Sequence, residues 1–232
     1  MQSVRGRWGD IWFWENDIYV GRSLLNYGEY GPDETEMILS LAKGLCLDIG
    51  ANFGVISQAL ETSGFTCVAF EPQPNIFEVL CKNVKGLKYN CALGATEGIG
   101  HMAIVVPDAE NNYGGMAIGY RSDLGAIEVP IKTLDSFNFV DVGFMKIDVE
   151  GYEEQVLRGG IETINKYRPI MYIEDDRPEN SNSLRSFITS LGYTIRIHNP
   201  ALYREENFFG VRRNIWDKLY ASKNLVCIPE EK

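Results

Sequence analysis

The segment that decides the fold is LCLDIGANFG, residues 45–54. A short apolar run ends in Asp48, and Gly50 and Gly54 then flank Asn52 before an amphipathic stretch begins. This pattern is typical of a buried strand that turns tightly into a helix, because glycine permits the turn and lets a ligand approach the backbone. The free N–H groups of the first helical turn then face that ligand. We therefore predict a binding site at this turn.

Similar patterns recur along the rest of the chain. Short apolar runs alternate with amphipathic stretches, and repeated units of this length indicate a parallel sheet with helices on both faces. The predicted strands are 45–49, 66–70, 87–93, 143–147, 169–174, 193–198 and 225–228. The predicted helices are 53–63, 74–84, 151–165 and 181–190.

Residues 94–133 interrupt this alternation. Glycine and asparagine separate two apolar runs, 101–106 and 126–131, which predict an inserted hairpin with a loose tip at 107–125. Near the end of the chain, residues 199–222 predict a loop and a helix before the last strand.

The N-terminal part has a different character. Aromatic residues around a turn signal make residues 1–30 β-rich, and Pro32 then begins a helix that Gly44 ends. We expect one domain over the whole chain of 232 residues. In this division residues 1–44 form the N-terminal segment with its helix, and residues 45–232 form the cofactor-binding α/β core.

The composition is ordinary for a globular protein, with 45% hydrophobic and 23% charged residues. The net charge of −10 disfavours nucleic acid as a partner, because that binding depends on basic surface. No apolar run approaches the ~20 residues of a membrane span, and the N-terminus lacks the apolar region of a secretory signal. We expect a cytoplasmic chain with neither nucleic acid nor membrane as partner. Its oligomeric state stays open.

The chain has five cysteines, Cys46, Cys67, Cys81, Cys91 and Cys227. Their number is odd and their spacing matches no metal site. Four lie in strand-like apolar runs, and Cys81 falls in a predicted helix. We interpret all five as reduced core or near-core residues in a reducing compartment.

Glu71 follows the second predicted strand and precedes Pro72. A carboxylate at this position can accept hydrogen bonds from both hydroxyls of a ribose, which indicates an adenosine-containing cofactor. A surface acid that caps the next helix is the alternative interpretation of Glu71. At the end of the third strand, Asn90 and Ala92 would pass beside the adenine, for which backbone and small side chains suffice.

Two cofactor classes compete for the turn at Gly50. A nicotinamide dinucleotide needs the pattern G-x-G-x-x-G, and the second and third glycines of that fingerprint are missing here. Asp48 would repel a pyrophosphate, whereas it suits the cationic amino group of S-adenosylmethionine, which has no phosphate. The carboxylate of that cofactor can meet backbone N–H groups between Gly50 and Gly54. A structural turn without a ligand is a further alternative.

At this point five motifs resemble those of a known family. They are DIGANFG (48–54), FEP (70–72), NCAL (90–93), TLD (133–135) and MKIDVEGYEEQVLRGG (145–160). The chain resembles the FkbM-type S-adenosylmethionine-dependent methyltransferases, from about Tyr27 to Glu174 and more weakly in the final NLVCIP. The first and last of the five motifs are specific, and the others are supportive.

The resemblance implies a Rossmann-like class I methyltransferase fold, a mostly parallel sheet of seven strands whose last strand is antiparallel. It also implies O-methylation, typically of a hydroxyl on a sugar or a polyketide-like metabolite. The segment around Tyr27 matches the family's approach to the cofactor, so Glu29 and Tyr30 are expected to cover its methionine end. Packing of an aromatic N-terminal segment explains Tyr30 as well.

Candidate catalytic residues follow the later strands. Asp148 follows the fourth strand, at the edge where ligands of open α/β sheets bind, and would point into the cleft near the sulfonium. Glu150 begins a helix, where it either interacts with the helix dipole or joins the active site. A general base in the cleft should take the proton of a hydroxyl acceptor, and Glu174 and His198 are the candidates. A loop histidine bonded to backbone is the alternative for His198.

An acidic run at the end of the fifth strand raises a metal-dependent mechanism. Asp148 with Glu174, Asp175 or Asp176 could hold Mg²⁺ through oxygen ligands and orient a diol. We favour the alternative, a solvated acidic loop, and therefore predict no metal site.

These features predict an S-adenosylmethionine-dependent O-methyltransferase that acts on a hydroxyl of a carbohydrate or glycosylated metabolite. The expected partner is a small-molecule or glycan acceptor. Two alternatives stay open. One is a methyltransferase that acts on a protein or nucleic-acid group, and the other is a binding module that retains the cofactor site without turnover.

Overall fold

The computed structural model describes residues 1–119, 125–216 and 222–231 of the chain. Within these ranges the strands are β1 (Gln2–Gly6), β2 (Gly9–Phe13), β3 (Leu45–Ile49), β4 (Thr66–Phe70), β5 (Leu87–Tyr89), β6 (Ala92–Leu93), β7 (Gly98–Ala103), β8 (Ala126–Lys132), β9 (Val142–Ile147), β10 (Ile170–Glu174), β11 (Tyr193–His198) and β12 (Asn224–Pro229). The helices are α1 (Val20–Tyr27), α2 (Pro32–Leu41), α3 (Val55–Thr62), α4 (Pro74–Asn83), α5 (Glu153–Arg158), α6 (Ile161–Tyr167) and α7 (Pro178–Ser190), with a short 3₁₀ helix at Asp135–Phe137.

The central sheet has seven strands in the order β11-β12-β10-β9-β3-β4-β5. The strands from β10 to β5 pair in parallel. The last strand, β12, lies antiparallel to both of its neighbours. The expected mostly parallel sheet with an antiparallel last strand is confirmed. Because chain order reverses between β3 and β9, the crevice at their carboxyl ends is the place where such sheets bind ligands.

The apolar run of β3 is buried because both faces of the sheet are covered. Leu47 and Ile49 pack on one face with residues of β4, β9 and β10. Cys46 packs on the other face with Ile38 of α2 and Leu60 of α3. A continuous apolar strand, rather than an alternating one, is the pattern that two covered faces require.

The insertion forms a second sheet, in the order β6-β8-β7. The predicted hairpin is confirmed by the antiparallel pairing of β7 with β8, although β7 covers 98–103 instead of 101–106. The single strand predicted over 87–93 is wrong, since it divides into β5 and β6 in different sheets. The side chain of Asn90 donates to the carbonyls of the β4 loop at the point where the chain leaves the main sheet.

The N-terminal segment is β-rich only at its start, where β1 and β2 form a hairpin. The helix α1 was not predicted, because Val20 and Gly21 are poor helix formers. Tertiary packing outweighs that propensity, since Val20, Leu24 and Tyr27 form a buried stripe. Asp17 accepts hydrogen bonds from the N–H groups of Tyr19 and Gly21 as this helix begins.

Two predicted helices have different bounds in the structure. The helix expected over 151–165 is divided into α5 and α6 at Gly159 and Gly160, where Gly159 lies against the backbone of Gly94. The helix expected over 181–190 begins at Pro178. No helix occurs over 199–216, and the remainder of the predicted loop and helix includes residues 217–221, which lie outside the described residues.

All five cysteines are free thiols, and four of them are buried. The prediction that Cys81 belongs to the core or its edge is wrong, because this residue lies on the exposed side of α4. Among the described helices, none combines the length and the apolar composition that a membrane crossing requires.

Replacing Gly159 by alanine should destabilise the protein by about 1–3 kcal/mol through overpacking. The added Cβ would lie 2.0 Å from the carbonyl oxygen of Gly94. Gly98→Ala is the matched control, because its Cβ would meet no atom within 4 Å. The control should change the free energy of unfolding by no more than about 0.5 kcal/mol. Urea unfolding measures both values, and equal stabilities would contradict this account of the helix break.

Candidate active site

A cavity of about 320 Å³ opens at the carboxyl ends of β3, β4, β9 and β10. The loops that follow these strands form its floor, while β6 forms one side. The remaining wall comes from outside the main sheet: the start of α1, the α1–α2 loop, the first turn of α2, the tip of the insertion, and Leu202 and Ser222 of the C-terminal segment. The volume is within the range of small-molecule sites, roughly 300–1,000 Å³.

The turn after β3 brings Gly50 and Asn52 to the cavity wall. Gly50 has a φ of 81°. An added Cβ there would lie 1.8 Å from the carbonyl oxygen of Asp148, so the loops after β3 and β9 touch at a point that only glycine permits. Asn52 has a φ of 51°, and its backbone N–H donates to Oε2 of Glu71 at 3.0 Å.

Gly54 is placed differently from its prediction. It does not belong to the residues that line the cavity, but begins α3 with a φ of 88°. An added Cβ would lie 2.6 Å from Cδ1 of Leu80 and 2.8 Å from Cγ2 of Val84. Gly54 therefore allows α3 to approach α4, rather than allowing a ligand to approach the backbone.

Asp48 also lies behind the cavity wall. Its side chain is 0% exposed, and it accepts a hydrogen bond from the hydroxyl of Ser57 at 2.6 Å. Its Oδ1 lies 3.5 Å from Nζ of Lys146. Asp48 therefore forms an internal ion pair on the covered face of β3, and its contact with a cofactor amino group stays a prediction.

Lys146, on β9, is the central cation of this region. Its Nζ donates to the carbonyl of Gly50 at 2.7 Å and lies 3.3 Å from Oδ2 of Asp148. Burial by itself would lower the pKa of Lys146, but the carboxylates of Asp148 and Asp48 raise it above its usual value. The sequence analysis assigned no role to this residue, although a lysine inside an otherwise apolar strand is a signal of a buried ion pair.

Glu71 lines the cavity at the end of β4 and is buried. Its carboxylate accepts hydrogen bonds from the N–H groups of Asn52 and Gln73, at 3.0 and 2.8 Å. Burial raises the pKa of Glu71 to about 7, although these two hydrogen bonds lower it. A surface acid, the alternative interpretation, does not describe this buried position.

The other residues predicted beside the adenosine have mixed positions. Pro72 and Ala92 line the cavity. Asn90 does not, and its side-chain amide donates instead to the carbonyls of Glu71 and Pro72, at 2.8 and 3.0 Å. Asn90 thus positions the loop that presents Glu71.

Tyr30 lines the cavity, whereas Glu29 does not. Burial raises the pKa of Tyr30 well above its usual value, and the neighbouring carboxylate of Glu34 adds to this effect. The carboxylate of Glu29 pairs with Arg7 and accepts a hydrogen bond from the N–H of Phe208 at 3.1 Å. Glu29 therefore connects the N-terminal hairpin to the C-terminal loop, away from the predicted contact with the cofactor.

Asp148 and Glu174 both line the cavity, but His198 does not. Nδ1 of His198 lies 2.8 Å from the hydroxyl of Tyr172, with which it shares a hydrogen bond. Burial lowers the pKa of His198. The partner of His198 is a side chain rather than the backbone, and His198 is not among the residues that line the cavity.

The acidic run after β10 is not one solvated loop. Glu174 and Asp176 line the cavity, but Asp175 is buried elsewhere, where Ser181 and Arg185 donate to it and Lys223 forms an ion pair with it. The predicted interpretation is wrong for Asp175 in particular, because an aspartate held by two cations inside the fold is a structural residue.

A family model described as the methyltransferase FkbM domain matches residues 48–195, which is more than half of the chain. The chain belongs to the FkbM methyltransferase family. No curated protein sequence matches the chain.

Solved structures support the fold of this FkbM-family chain. A methyltransferase FkbM from Methylobacillus flagellatus KT has a TM-score of 0.52 at 15% identity, covering 81% of this chain and 45% of that one. A tRNA (uracil-54, C5)-methyltransferase from Pyrococcus abyssi, in complex with S-adenosyl-L-homocysteine, has a TM-score of 0.51 at 12% identity, covering 98% of this chain and 44% of that one. The chain therefore spans less than half the length of these two proteins. At such identities the likeness shows the fold alone, and it confirms the class I methyltransferase fold.

A precorrin 8W decarboxylase from Methanobacterium thermoautotrophicum shares that fold over most of both chains. Its TM-score is 0.50 at 12% identity, and the alignment covers 86% of this chain and 90% of that one.

Several residues that line the cavity of this FkbM-family chain carry no clear signal in the sequence. Glu34, in the first turn of α2, lines the cavity, and burial raises its pKa to about 7. Glu150, for which the sequence left a helix-dipole role and an active-site role open, lines the cavity with a φ of 57° and pairs with Arg177. Asn112 and Tyr113 line it from the segment predicted as a loose tip. A helix start, a strained residue and an insertion lie far apart in sequence, so no local pattern indicates that they meet.

The cavity wall is strongly acidic. Six carboxyl side chains but only two cationic ones belong to the described residues that line it, which leaves a formal excess of four negative charges. The carboxyls are Glu34, Glu71, Asp148, Glu150, Glu174 and Asp176, and the cations are Lys146 and Arg177. Such a wall attracts positively charged ligands and repels phosphates.

The pH dependence of stability should report the buried carboxyl of Glu71. Its pKa is about 7 in the folded chain against 4.5 for an ordinary glutamate, so between these values the folded state keeps a proton that the unfolded state has lost. The contribution of this group to stability is therefore complete below pH 4.5 and is lost as the pH rises to 7.

Glu71→Gln has no such proton to lose. Between about pH 5 and pH 7, its free energy of unfolding should fall less steeply than that of the wild type, by up to roughly 1 kcal/mol per pH unit. Urea unfolding at a series of pH values measures both slopes. Identical slopes would show that Glu71 titrates as an ordinary surface acid.

Proposed function

We propose that this chain transfers a methyl group from S-adenosylmethionine to a hydroxyl of a carbohydrate or glycosylated metabolite. The observation that carries the proposal is the acidic cavity at the carboxyl ends of the class I sheet, with Glu71 buried in its wall. The cofactor, when bound, supplies a methyl group on a cationic sulfonium. The residues of this chain bind it, orient the acceptor and remove the proton.

The wall fits a cation better than a dinucleotide. Its excess of carboxylates favours the sulfonium and the amino group, and it would repel the pyrophosphate of a nicotinamide cofactor. Glu71 would accept hydrogen bonds from the ribose hydroxyls with the part of its carboxylate that backbone N–H groups leave free. Gly50 and Asn52 would lie beside the rest of the cofactor, and Tyr30 would cover it from the α1–α2 loop.

Methyl transfer to a hydroxyl depends on alignment and on removal of a proton. Alignment of the oxygen, the methyl group and the sulfur in a closed cavity supplies much of the rate. Asp148, held beside Lys146, would orient the acceptor at the carboxyl end of β9.

Glu34 is the general base in this proposal. It lines the cavity from α2 and is buried there. A pKa of about 7 leaves this group able to accept a proton near neutral pH. Burial and the neighbouring Asp148 raise the pKa of Glu174, one of the two bases expected from sequence, well above its usual value.

Cofactor binding tests the first half of the proposal. Titration calorimetry should show binding of S-adenosylhomocysteine and no binding of NAD. Glu71→Gln should weaken that binding by about 1–3 kcal/mol, because a charge-assisted hydrogen bond is lost. Glu78→Gln, an exposed substitution on α4, is the matched control and should bind as the wild type does. Unchanged affinity in Glu71→Gln would overturn the ribose assignment.

A methyl-transfer assay tests the second half. With labelled S-adenosylmethionine and a panel of sugars, nucleotide sugars and glycosides, we expect an O-methylated product. Glu34→Gln should lower kcat by roughly 100-fold or more with little change in KM. Wild-type turnover in this variant would remove Glu34 as the base.

The same assay separates the alternatives. Methylation of a protein or nucleic acid, but of no sugar, would replace the proposed acceptor. Binding of S-adenosylhomocysteine without any methylation would indicate a binding module.

A further inference from the structure

Three carboxylates from two adjacent strands converge in the cavity. Asp148 and Glu150 follow β9, and Glu174 ends β10, its parallel neighbour. Each offers one oxygen, and these three oxygens lie within 4.8 Å of one another. Like charges at such distances repel strongly inside a protein, so the cluster requires either protons or a cation.

Glu174 is the member of the cluster that has a buried oxygen without a hydrogen-bond partner among the described residues. It is 8% exposed, and its buried Oε2 has no hydrogen-bond partner among the described residues although it belongs to the cavity wall. A buried acceptor without a donor is costly, and a charged one more so.

The nearby cations are already engaged. Lys146 lies between the carbonyl of Gly50, Asp48 and Asp148. Arg177 is paired with Glu150. Neither cation has a contact with Glu174 among the ion pairs of the described residues.

The bound cofactor would not supply the missing charge. S-adenosylmethionine carries a sulfonium, an amino group and a carboxylate, so its net charge is one positive. The described wall has a formal excess of four negative charges. A formal excess of three negative charges would persist beside the cofactor. The ends of β9 and β10 contribute two of the original four, because their four carboxyls are opposed by Lys146 and Arg177.

We propose that Asp148, Glu150 and Glu174 bind a divalent cation of the class that prefers oxygen ligands, such as Mg²⁺ or Mn²⁺. This proposal revises the sequence interpretation, which considered Asp148 with Glu174, Asp175 or Asp176 and predicted no metal. In the structure, Glu150 joins Asp148 and Glu174, whereas Asp175 is bound by Arg185. Three carboxylate oxygens occupy only part of a six-coordinate shell, so further positions stay open for water or for acceptor oxygens. Binding of acceptor oxygens by the cation rests on the proposed function. The cation would then hold two neighbouring hydroxyls of the acceptor and lower the pKa of the reacting hydroxyl.

Direct metal binding tests the site without any turnover. Chelator-treated protein is titrated with Mn²⁺, and electron paramagnetic resonance measures the free ion. We expect one Mn²⁺ per chain, displaced by Mg²⁺. Glu174→Gln and Glu150→Gln should each weaken binding by about tenfold or more. Glu179→Gln is the matched control, since it removes an exposed carboxylate nearby on α7 and should not change the affinity.

Thermal unfolding of the same variants distinguishes a bound cation from a proton shared among the three carboxyls. Mg²⁺ should raise the Tm of chelator-treated wild type, and it should raise the Tm of Glu174→Gln much less. Absence of stoichiometric Mn²⁺ binding, or equal affinities in the wild type and in both cavity variants, would overturn the proposal and leave a proton shared among the carboxyls.

S-adenosylhomocysteine binding is measured on the same samples. Cofactor binding without Mn²⁺ binding would overturn the metal site alone, and the proposed function would stand. Mn²⁺ binding without cofactor binding would overturn the cofactor assignment and leave the metal site intact.

Discussion

The structure of the site depends on the ion pair between Lys146 and the two aspartates at the ends of β3 and β9. One ammonium group contacts the buried Asp48, the cavity-facing Asp148 and the carbonyl of Gly50, and so joins the strand ends on both sides of the switch point. A buried pair of this kind contributes little net stability, but removing one partner leaves an unpaired charge inside the protein. The shape of the crevice therefore depends on the ammonium group of Lys146, a cation that belongs to the chain itself.

That same cation limits what the cavity can bind. Lys146 is shared between two aspartates, so it cannot also neutralise the carboxylates that line the wall farther along β9 and β10. The wall keeps its acidic character, and several of its carboxyls have raised pKa values as a result of burial. A ligand that brings positive charge would displace those protons and stabilise the folded chain by mass action. Under the proposed function and the proposed metal site, cofactor binding, cation binding and fold stability would be coupled through these carboxyls.

Sequence patterns predicted those parts of the fold that rest on local periodicity. The strand–turn–helix at 45–54 and the mostly parallel sheet followed from the alternation of short apolar runs with amphipathic stretches. The division of helix 151–165 did not, because it results from contact between Gly159 and Gly94, far apart in the chain. The site shows the same limit. Glu71 was recognisable from its position after a strand, whereas Asp48 was assigned to the cavity because a sequence shows that a residue ends a strand but not which side of the sheet its carboxylate occupies.

The elements that close the cavity lie apart from the motifs that build its floor. The start of α1 precedes the residues 48–195 that the family model matches, and the insertion tip reaches the cavity from the second sheet. Asp17 joins the two, because its carboxylate accepts hydrogen bonds from Gly21 in α1 and from Tyr113 in the insertion. This carboxylate is fully buried, so the two walls keep a defined position relative to each other. The family motifs thus form the floor of the cavity, while two of its walls are joined by a hydrogen-bonded junction that those motifs do not include.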